Sequence, residues 1–209
     1  MDHTMEKSID RPVQQTADLA AYLAADEVVD HGHPVVLRTA ARLRAGTDGP
    51  YGYAKAAYEY VRDAVPHSFD AGDQRVTWRA SDVLEHRGGI CYAKSHALVA
   101  LLRAEGIPAG FCYQRLTEDD GSGPVIHGLV ALLLPEHGGW TRQDPRGNKP
   151  GVDACFSPAG DRLAFAVRPE LGECDYPLVH AAPPGPVLAA LQGAGSAAEL
   201  AGMLPAELD

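Results

Sequence analysis

One of the four cysteines lies where a reactive thiol would be expected. Cys91 follows two glycines in RGGICYAKSHALVALLRAEG and stands at the mouth of an apolar run with helical periodicity. In the first turn of a helix, unpaired backbone N–H groups and the positive end of the helix dipole favour a thiolate. Gly88 and Gly89 have no side chains and would let a substrate carbonyl approach the sulfur. The stretch therefore predicts a nucleophilic cysteine whose own N–H donates to the developing oxyanion.

A thiol nucleophile also needs a base, and His127 is the best candidate among nine histidines. It lies in the apolar run VIHGLVALLL, where a polar ring needs a specific reason to be present. Asp144 follows the next apolar run and could orient the imidazole. Counting outward from the PEHGG turn pairs Leu134 with Gly139, so Asp144 falls opposite about residue 129, within side-chain reach of His127. This order predicts a thiol, imidazole and carboxylate that act together.

The elements that would position these groups follow from hydrophobic periodicity and from the placement of Gly and Pro. We expect helices over about 34–45, 51–64, 82–86 and 92–104, the third with Ser81 as its N-cap. The residues from 66 to 80 are predicted to form an irregular connector, whereas 16–30 has a weaker helical pattern. Alternating or apolar runs predict strands at 109–116, 125–134 and 139–144, with a further strand at 162–167 and two short helices near the C-terminus.

Helices followed by antiparallel strands predict an α+β fold. The length of 209 residues suits one domain, which we divide into a helical N-terminal part (about 1–70), a catalytic core (71–170) and a C-terminal tail (171–209).

The three blocks SDVLEHRGGICYAKSHALVALLRAEGIPAG, HGLVALLL and GWTRQDPRGNK, in this order and spacing, resemble the transglutaminase-like superfamily, the circularly permuted relatives of papain-type cysteine proteases. The resemblance covers roughly residues 50–150. It implies a cysteine-bearing helix packed on an antiparallel sheet that supplies histidine and aspartate. Carried over to this sequence, the nucleophile falls on Cys91, the general base on His127 and the orienting carboxylate on Asp144.

The sequence departs from the family pattern near the histidine and after the aspartate. Leu129 and Ala131 stand where the family often has an aromatic and an acidic residue, and RGNK follows the Asp-Pro that is commonly followed by threonine. These differences bear on the substrate pocket. The oxyanion-side tryptophan of the animal enzymes has no evident counterpart, since the spacing of Trp78 or Gln74 does not match.

The resemblance implies an enzyme that acts on amide bonds through a thioester, which water resolves in a protease or amidase and an amine resolves in a transglutaminase. We expect a cysteine protease or amidase. RGGICY also resembles the arylamine N-acetyltransferases, which use the same order of catalytic groups. A non-catalytic binding module of the same fold is the alternative outside the enzymes.

Composition limits the partners. A formal net charge of −10 provides no basic surplus for nucleic acid or an anionic membrane, so we expect a peptide, protein or small amide substrate. The N-terminal residues carry no apolar leader pattern, which favours a cytoplasmic protein with free thiols. We expect no metal and no cofactor; the cysteines form no C-x-x-C pair, and EDDG at 118–121 is interpreted as a solvated loop. The oligomeric state is left open.

The remaining cysteines and histidines are interpreted as structural. Three cysteines are assigned to packing, because a free cysteine usually behaves as a small buried hydrophobe. Five histidines are expected at the surface or at helix ends. These residues are Cys112, Cys155, Cys174, His31, His33, His86, His96 and His137.

Overall fold

The structure is a computed structural model that describes residues 11–118 and 123–208. Its first half is mainly helical. After a short strand β1 (Val13–Gln14), the helices are α1 (Pro34–Arg44), α2 (Gly49–Ala64), α3 (Ser68–Ala71), α4 (Ala80–His86) and α5 (Cys91–Ala104). The strands β2 (Ala109–Thr117), β3 (Pro124–Leu133), β4 (Trp140–Gln143), β5 (Cys174–Asp175) and β6 (Leu178–Val179) follow, and then the helices α6 (Gly185–Gly193) and α7 (Ala197–Ala201). The predicted α+β class is confirmed.

Local signals in the sequence explain the helix bounds. Pro34 is the first residue of α1, where its missing N–H costs nothing, and His33 caps the helix by accepting from the Val35 N–H. α2 ends at Ala64, shortly before Pro66. Both helices match their predicted ranges, and His33 is a capping residue as expected.

Four local predictions are wrong. Arg79, not Ser81, caps α4, and the Ser81 N–H donates to Asp30. The connector 66–80 contains the short helix α3, and 16–30 has only a 3-10 turn at Leu19–Tyr22. Residues 162–167 form no strand, because some of their backbone groups bind elsewhere: the Ala164 N–H donates to the Asp144 carboxylate.

Strands β2 to β5 form one antiparallel sheet in the order β4-β3-β2-β5, while β1 and β6 pair in parallel beside it. In the β3–β4 pair, Val130 lies opposite Gln143 and Leu133 opposite Trp140. This is the register predicted from the PEHGG turn. Continued by one residue, it places Asp144 opposite Leu129, two residues from His127.

Helix α5 runs through the centre of the molecule, and every residue from Tyr92 to Arg103 is buried. It contacts β2 and β3 on one side and α1, α2 and α4 on the others. A helix buried on all sides does not need a polar face. The prediction that the cysteine-bearing helix packs on the antiparallel sheet is therefore confirmed. A second, smaller core on the far face of the sheet is formed by Tyr22, Cys112, Leu129, Ala131, Trp140 and Val179.

The central position of α5 also explains why one histidine differs from its prediction. His96, expected at the surface, has no exposed area. Its Nδ1 lies 2.7 Å from the Trp78 carbonyl oxygen, and burial lowers the pKa of the ring to about 4. His96 is therefore a neutral core residue. Across the described residues, every helix is too short or too polar to span the hydrocarbon core of a bilayer.

Candidate active site

Cys91 is the first residue of α5 and lies partly exposed on the wall of a cleft. Its position on the first helical turn is the one predicted from the sequence. The N–H groups of this turn have no partners within the helix, so they provide positive potential at the sulfur.

His127 lies on β3 on the same cleft wall, with 5% of its surface exposed. Its Nε2 is 2.8 Å from Oδ2 of Asp144. The ring of Phe165 meets the imidazole edge-on, with the ring centroids 5.2 Å apart. Because Nε2 is engaged by the carboxylate, Nδ1 is the nitrogen left to face the thiol of Cys91.

Asp144 follows β4 and is completely buried. Oδ2 accepts a second hydrogen bond from the Ala164 N–H at 2.9 Å, and Oδ1 accepts one from the Arg146 N–H at 3.0 Å. Burial by itself would raise the pKa of this carboxyl, but the charge and hydrogen bond of His127 and these two N–H groups lower it below the usual range. The carboxylate is therefore ionised and fixed in orientation.

The thiol and the imidazole stabilise each other's charged forms. Burial disfavours the Cys91 thiolate, but the charge and hydrogen bond of His127, together with those of His67, outweigh it and lower the pKa of the thiol to about 6. For His127, burial again opposes the charge, whereas Asp144 and Cys91 raise the pKa of the ring well above its ordinary value. These pKa shifts favour a thiolate–imidazolium pair at neutral pH, which is the activated form of a cysteine nucleophile.

A close approach between α5 and β3 brings Cys91 to His127. Tyr92 packs against Gly128, where an added Cβ would lie 2.7 Å from the tyrosine ring and 3.4 Å from the Tyr92 Cα. The Tyr92 hydroxyl donates to the Ile126 carbonyl at 2.6 Å. The residues next to the thiol and next to the imidazole are thus in direct contact, and a side chain at position 128 would separate them.

The two glycines before Cys91 have a different role from the one predicted. Gly88 and Gly89 are buried and do not line the cleft. A Cβ on Gly88 would lie 3.0 Å from Asp73, and one on Gly89 would lie 2.8 Å from the side chain of Ala93. These glycines allow the chain to pack closely against its neighbours, and they do not open a path for substrate.

His67 was not predicted from the sequence to belong to the site. This residue begins the segment after α2, lines the cleft, and is only 9% exposed. Its charge and hydrogen bonding help to lower the pKa of the Cys91 thiol, while its Nδ1 has no hydrogen-bond partner among the described residues. The sequence around it, VPHSF, contains no spacing that would have indicated this contact.

The cleft has a volume of about 670 Å³. One part of its wall is apolar, formed among others by Phe69, Ile90, Val125, Ile126, Phe165 and Leu204. Another part carries ion pairs, such as Arg146 with Asp70 at 2.7 Å and Arg168 with Glu173 at 2.7 Å. Neither Trp78 nor Gln74 lines it, and the Gln74 side chain instead accepts from the Ala198 N–H.

The departures from the family pattern fall in two places. Leu129 and Ala131 are fully buried in the second core, so they do not reach the cleft. Arg146 and Lys149, from the RGNK stretch, do line it, and both pair with Asp70. The differences after Asp-Pro therefore lie at the cleft, whereas those after His127 do not.

The remaining cysteines differ in exposure. Cys112 is buried in the second core, where burial raises the pKa of its thiol to about 12. Cys155 is partly exposed. Cys174, predicted to pack in the interior, is exposed on the edge strand β5. The prediction that Cys174 packs in the interior is therefore wrong.

Among the structural histidines, His86 is exposed as predicted, whereas His31 and His137 are partly buried. Of the EDDG stretch, Glu118 lies on the cleft wall and residues 119–121 fall outside the described residues. Within residues 11–118 and 123–208, no three His, Cys, Asp or Glu side chains converge in a way that would hold a metal ion.

Comparison with known proteins identifies a family that matches this chain. The family model of the transglutaminase-like superfamily matches residues 38–145, just over half of the chain, and this range includes all three predicted site residues. No curated protein sequence matches the chain.

Two solved structures match part of the chain. The structure described as "a Putative Cysteine Protease from Cytophaga hutchinsonii" matches with a TM-score of 0.52 and 19% identity, over 63% of this chain and 43% of that one. The periplasmic domain of TgpA from Pseudomonas aeruginosa matches with a TM-score of 0.43 and 23% identity, over 62% of this chain and 48% of that one. The similar region thus spans less than half of either relative.

Proposed function

Because the chain belongs to the transglutaminase-like superfamily, we propose that it is a cysteine enzyme that hydrolyses amide bonds in a peptide or small amide substrate. The observation that supports this most directly is the position of His127, which interacts with the thiol of Cys91 on one side and the carboxylate of Asp144 on the other, at the wall of an open cleft. A binding module would have no need for an ionised thiol.

The proposed reaction has two steps. The Cys91 thiolate adds to the amide carbonyl carbon, and His127 then gives its proton to the leaving amine as the C–N bond breaks, which leaves a thioester. Water attacks the thioester carbon while His127 accepts a proton from the water. The C–S bond then breaks, which releases a carboxylic acid and regenerates the thiolate–imidazolium pair. Asp144 holds the imidazole in orientation and stabilises its charge throughout.

The apolar wall of the cleft, with Phe69, Val125 and Phe165, favours a substrate with apolar side chains next to the reacting carbonyl. A primary amine that replaces water in the second step would give amine transfer in place of hydrolysis. A cytoplasmic location remains a proposal based on the sequence.

Alkylation of the thiol as a function of pH tests whether the site is catalytic. Cys155→Ser and Cys174→Ser first remove the other accessible thiols, so that iodoacetamide reports on Cys91. We expect the alkylation rate to rise with a midpoint near pH 6. An ordinary cysteine has its midpoint at about pH 8.5. Cys91→Ser is the blank, and His127→Asn should move the midpoint upward. A midpoint above pH 8 in the parent protein would favour the binding module.

A second experiment separates hydrolysis from amine transfer. The protein is incubated with a mixture of glutamine-containing peptides and a fluorescent primary amine, and the products are analysed by mass spectrometry. Cleaved or deamidated peptides that require Cys91 support hydrolysis. Incorporation of the amine without any hydrolysed product would replace that proposal by transglutamination.

A further inference from the structure

His67 is a second imidazole next to the reactive sulfur, and the proposed triad does not use it. Its ring interacts with the thiol of Cys91, and only 9% of its surface is exposed. His127 is held by a carboxylate through Nε2, whereas Nδ1 of His67 has no hydrogen-bond partner within residues 11–118 and 123–208. His67 Nδ1 lacks the carboxylate hydrogen bond that His127 has, so this ring is less suited to act as a base, but it can still donate a hydrogen bond.

The backbone holds His67 in a fixed position relative to Cys91. The Ser68 N–H donates to the Gly89 carbonyl at 3.1 Å, so the His67 segment is bridged to a residue two positions before the cysteine. The buried side chain of Lys94, three positions after the cysteine, donates to the carbonyl of Val65. The segment 65–68 is therefore hydrogen-bonded to one residue before Cys91 and to one residue after it. The ring of Phe69 also packs edge-on against the His67 imidazole, with the ring centroids 5.6 Å apart.

Acylation of Cys91 calls for a hydrogen-bond donor next to the sulfur. When the sulfur adds to a carbonyl carbon, a C–S bond forms and the π electrons of the C=O bond move to the oxygen. The negative charge thus leaves the sulfur and appears on an oxygen bound to the same carbon. A donor that contacts the thiolate before the attack is close enough to follow the charge to that oxygen. When the intermediate collapses, the C=O bond re-forms and the leaving group departs with a proton from His127.

We propose that His67 is a catalytic residue that donates an N–H hydrogen bond to the oxyanion, together with the backbone N–H of Cys91. This inference rests on the proposed function. It makes a histidine the side-chain donor to the oxyanion. Neither Trp78 nor Gln74 can have this role, because neither lines the cleft. Fixed donors of this kind typically contribute about 10²–10³-fold to the rate.

The test compares two reactions of the same thiol. Alkylation by iodoacetamide is a displacement at a saturated carbon and forms no oxyanion, whereas acylation by p-nitrophenyl acetate does. Both rates are measured at pH 7 in the Cys155→Ser/Cys174→Ser background, the second from a single turnover of p-nitrophenolate release. The ratio of acylation to alkylation is then independent of the thiolate fraction. N-acetylcysteine gives the ratio for a thiol without any oxyanion site.

We expect the parent protein to have a ratio well above that of N-acetylcysteine. His67→Phe should lower the ratio by about 10²-fold. His67→Gln, which keeps a donor but cannot act as a base, should stay within about tenfold of the parent. His67→Leu repeats the measurement with a smaller apolar side chain if the phenyl ring prevents folding. The matched control is His86→Gln, at the exposed end of α4 and outside the cleft.

A ratio unchanged in the apolar variants would overturn the assignment, and so would a ratio in His67→Gln as low as in His67→Phe. A parent ratio equal to that of N-acetylcysteine would also overturn it. Failure of the proposed function gives a different result, namely an alkylation midpoint above pH 8 in the parent protein, and it is detected without any substitution at His67.

Discussion

Replacement of Gly128 by alanine tests the contact that brings the thiol to the imidazole. The added Cβ would lie 2.7 Å from Cδ1 of Tyr92, about 0.7 Å short of the 3.4 Å at which ordinary contacts begin. The tyrosine cannot turn away easily, because it is 1% exposed and its hydroxyl is bound to the Ile126 carbonyl at 2.6 Å. The first turn of α5 must therefore move away from β3 and carry Cys91 with it.

The expected cost has two parts. Overpacking of a filled core typically reduces the free energy of unfolding by about 1–3 kcal/mol. A displacement near 1 Å at the reacting groups lowers the rate of a catalysed reaction by about 10²-fold. As Cys91 moves away from His127, the pKa of the thiol should rise toward its ordinary value, and alkylation at pH 6 should fall more than alkylation at pH 9.

The measurements are urea unfolding and the pH profile of iodoacetamide alkylation in the Cys155→Ser/Cys174→Ser background. Gly32→Ala is the matched control, since an added Cβ there meets no atom within 4 Å and Gly32 does not have a positive φ. If Gly128→Ala kept both the stability and the low-pH alkylation of Gly32→Ala, the argument that this glycine sets the distance between thiol and imidazole would be refuted.

Three further outcomes are expected. Asp144→Asn removes the negative charge that supports the imidazolium, so the midpoint of Cys91 alkylation should rise by a pH unit or more; an unchanged midpoint would show that the carboxylate is not needed for ionisation. Burial lowers the pKa of Lys94 to about 7 from 10.5, so between these values the unfolded chain binds a proton that the folded chain lacks, and stability rises with pH. Lys94→Met should reduce that rise by about 1 kcal/mol per pH unit in urea unfolding at pH 7 and 9, and equal slopes would contradict the assignment. Arg103→Met should lower the free energy of unfolding by about 3 kcal/mol, because it leaves the carbonyl oxygens of Ala24, Ala109 and Ala181 without the guanidinium that donates to them. Arg115→Met, which loses a single exposed bond, should cost about 1 kcal/mol or less. Equal losses in the two arginine variants would argue against this reasoning.

Much of the fold follows from local patterns. Helices α1, α2 and α5 have the predicted positions because apolar residues at helical spacing lie between Pro and Gly signals. The register of β3 and β4 could be counted from a short turn, since a hairpin loop determines which residues face each other. The sequence by itself therefore determined that Asp144 would come level with His127, and the family resemblance placed Cys91 in the same group.

Only the tertiary structure decided how these elements approach one another. Gly128 was unremarkable within an apolar run, yet it admits the Tyr92 ring and so sets the distance between α5 and β3. The N–H of Ala164, in a segment predicted as a strand, instead binds the Asp144 carboxylate. His67 reaches the sulfur through backbone bonds to a segment more than twenty residues later. These contacts join residues far apart in the chain, and their geometry depends on packing in three dimensions, which hydrophobic periodicity and turn signals do not encode.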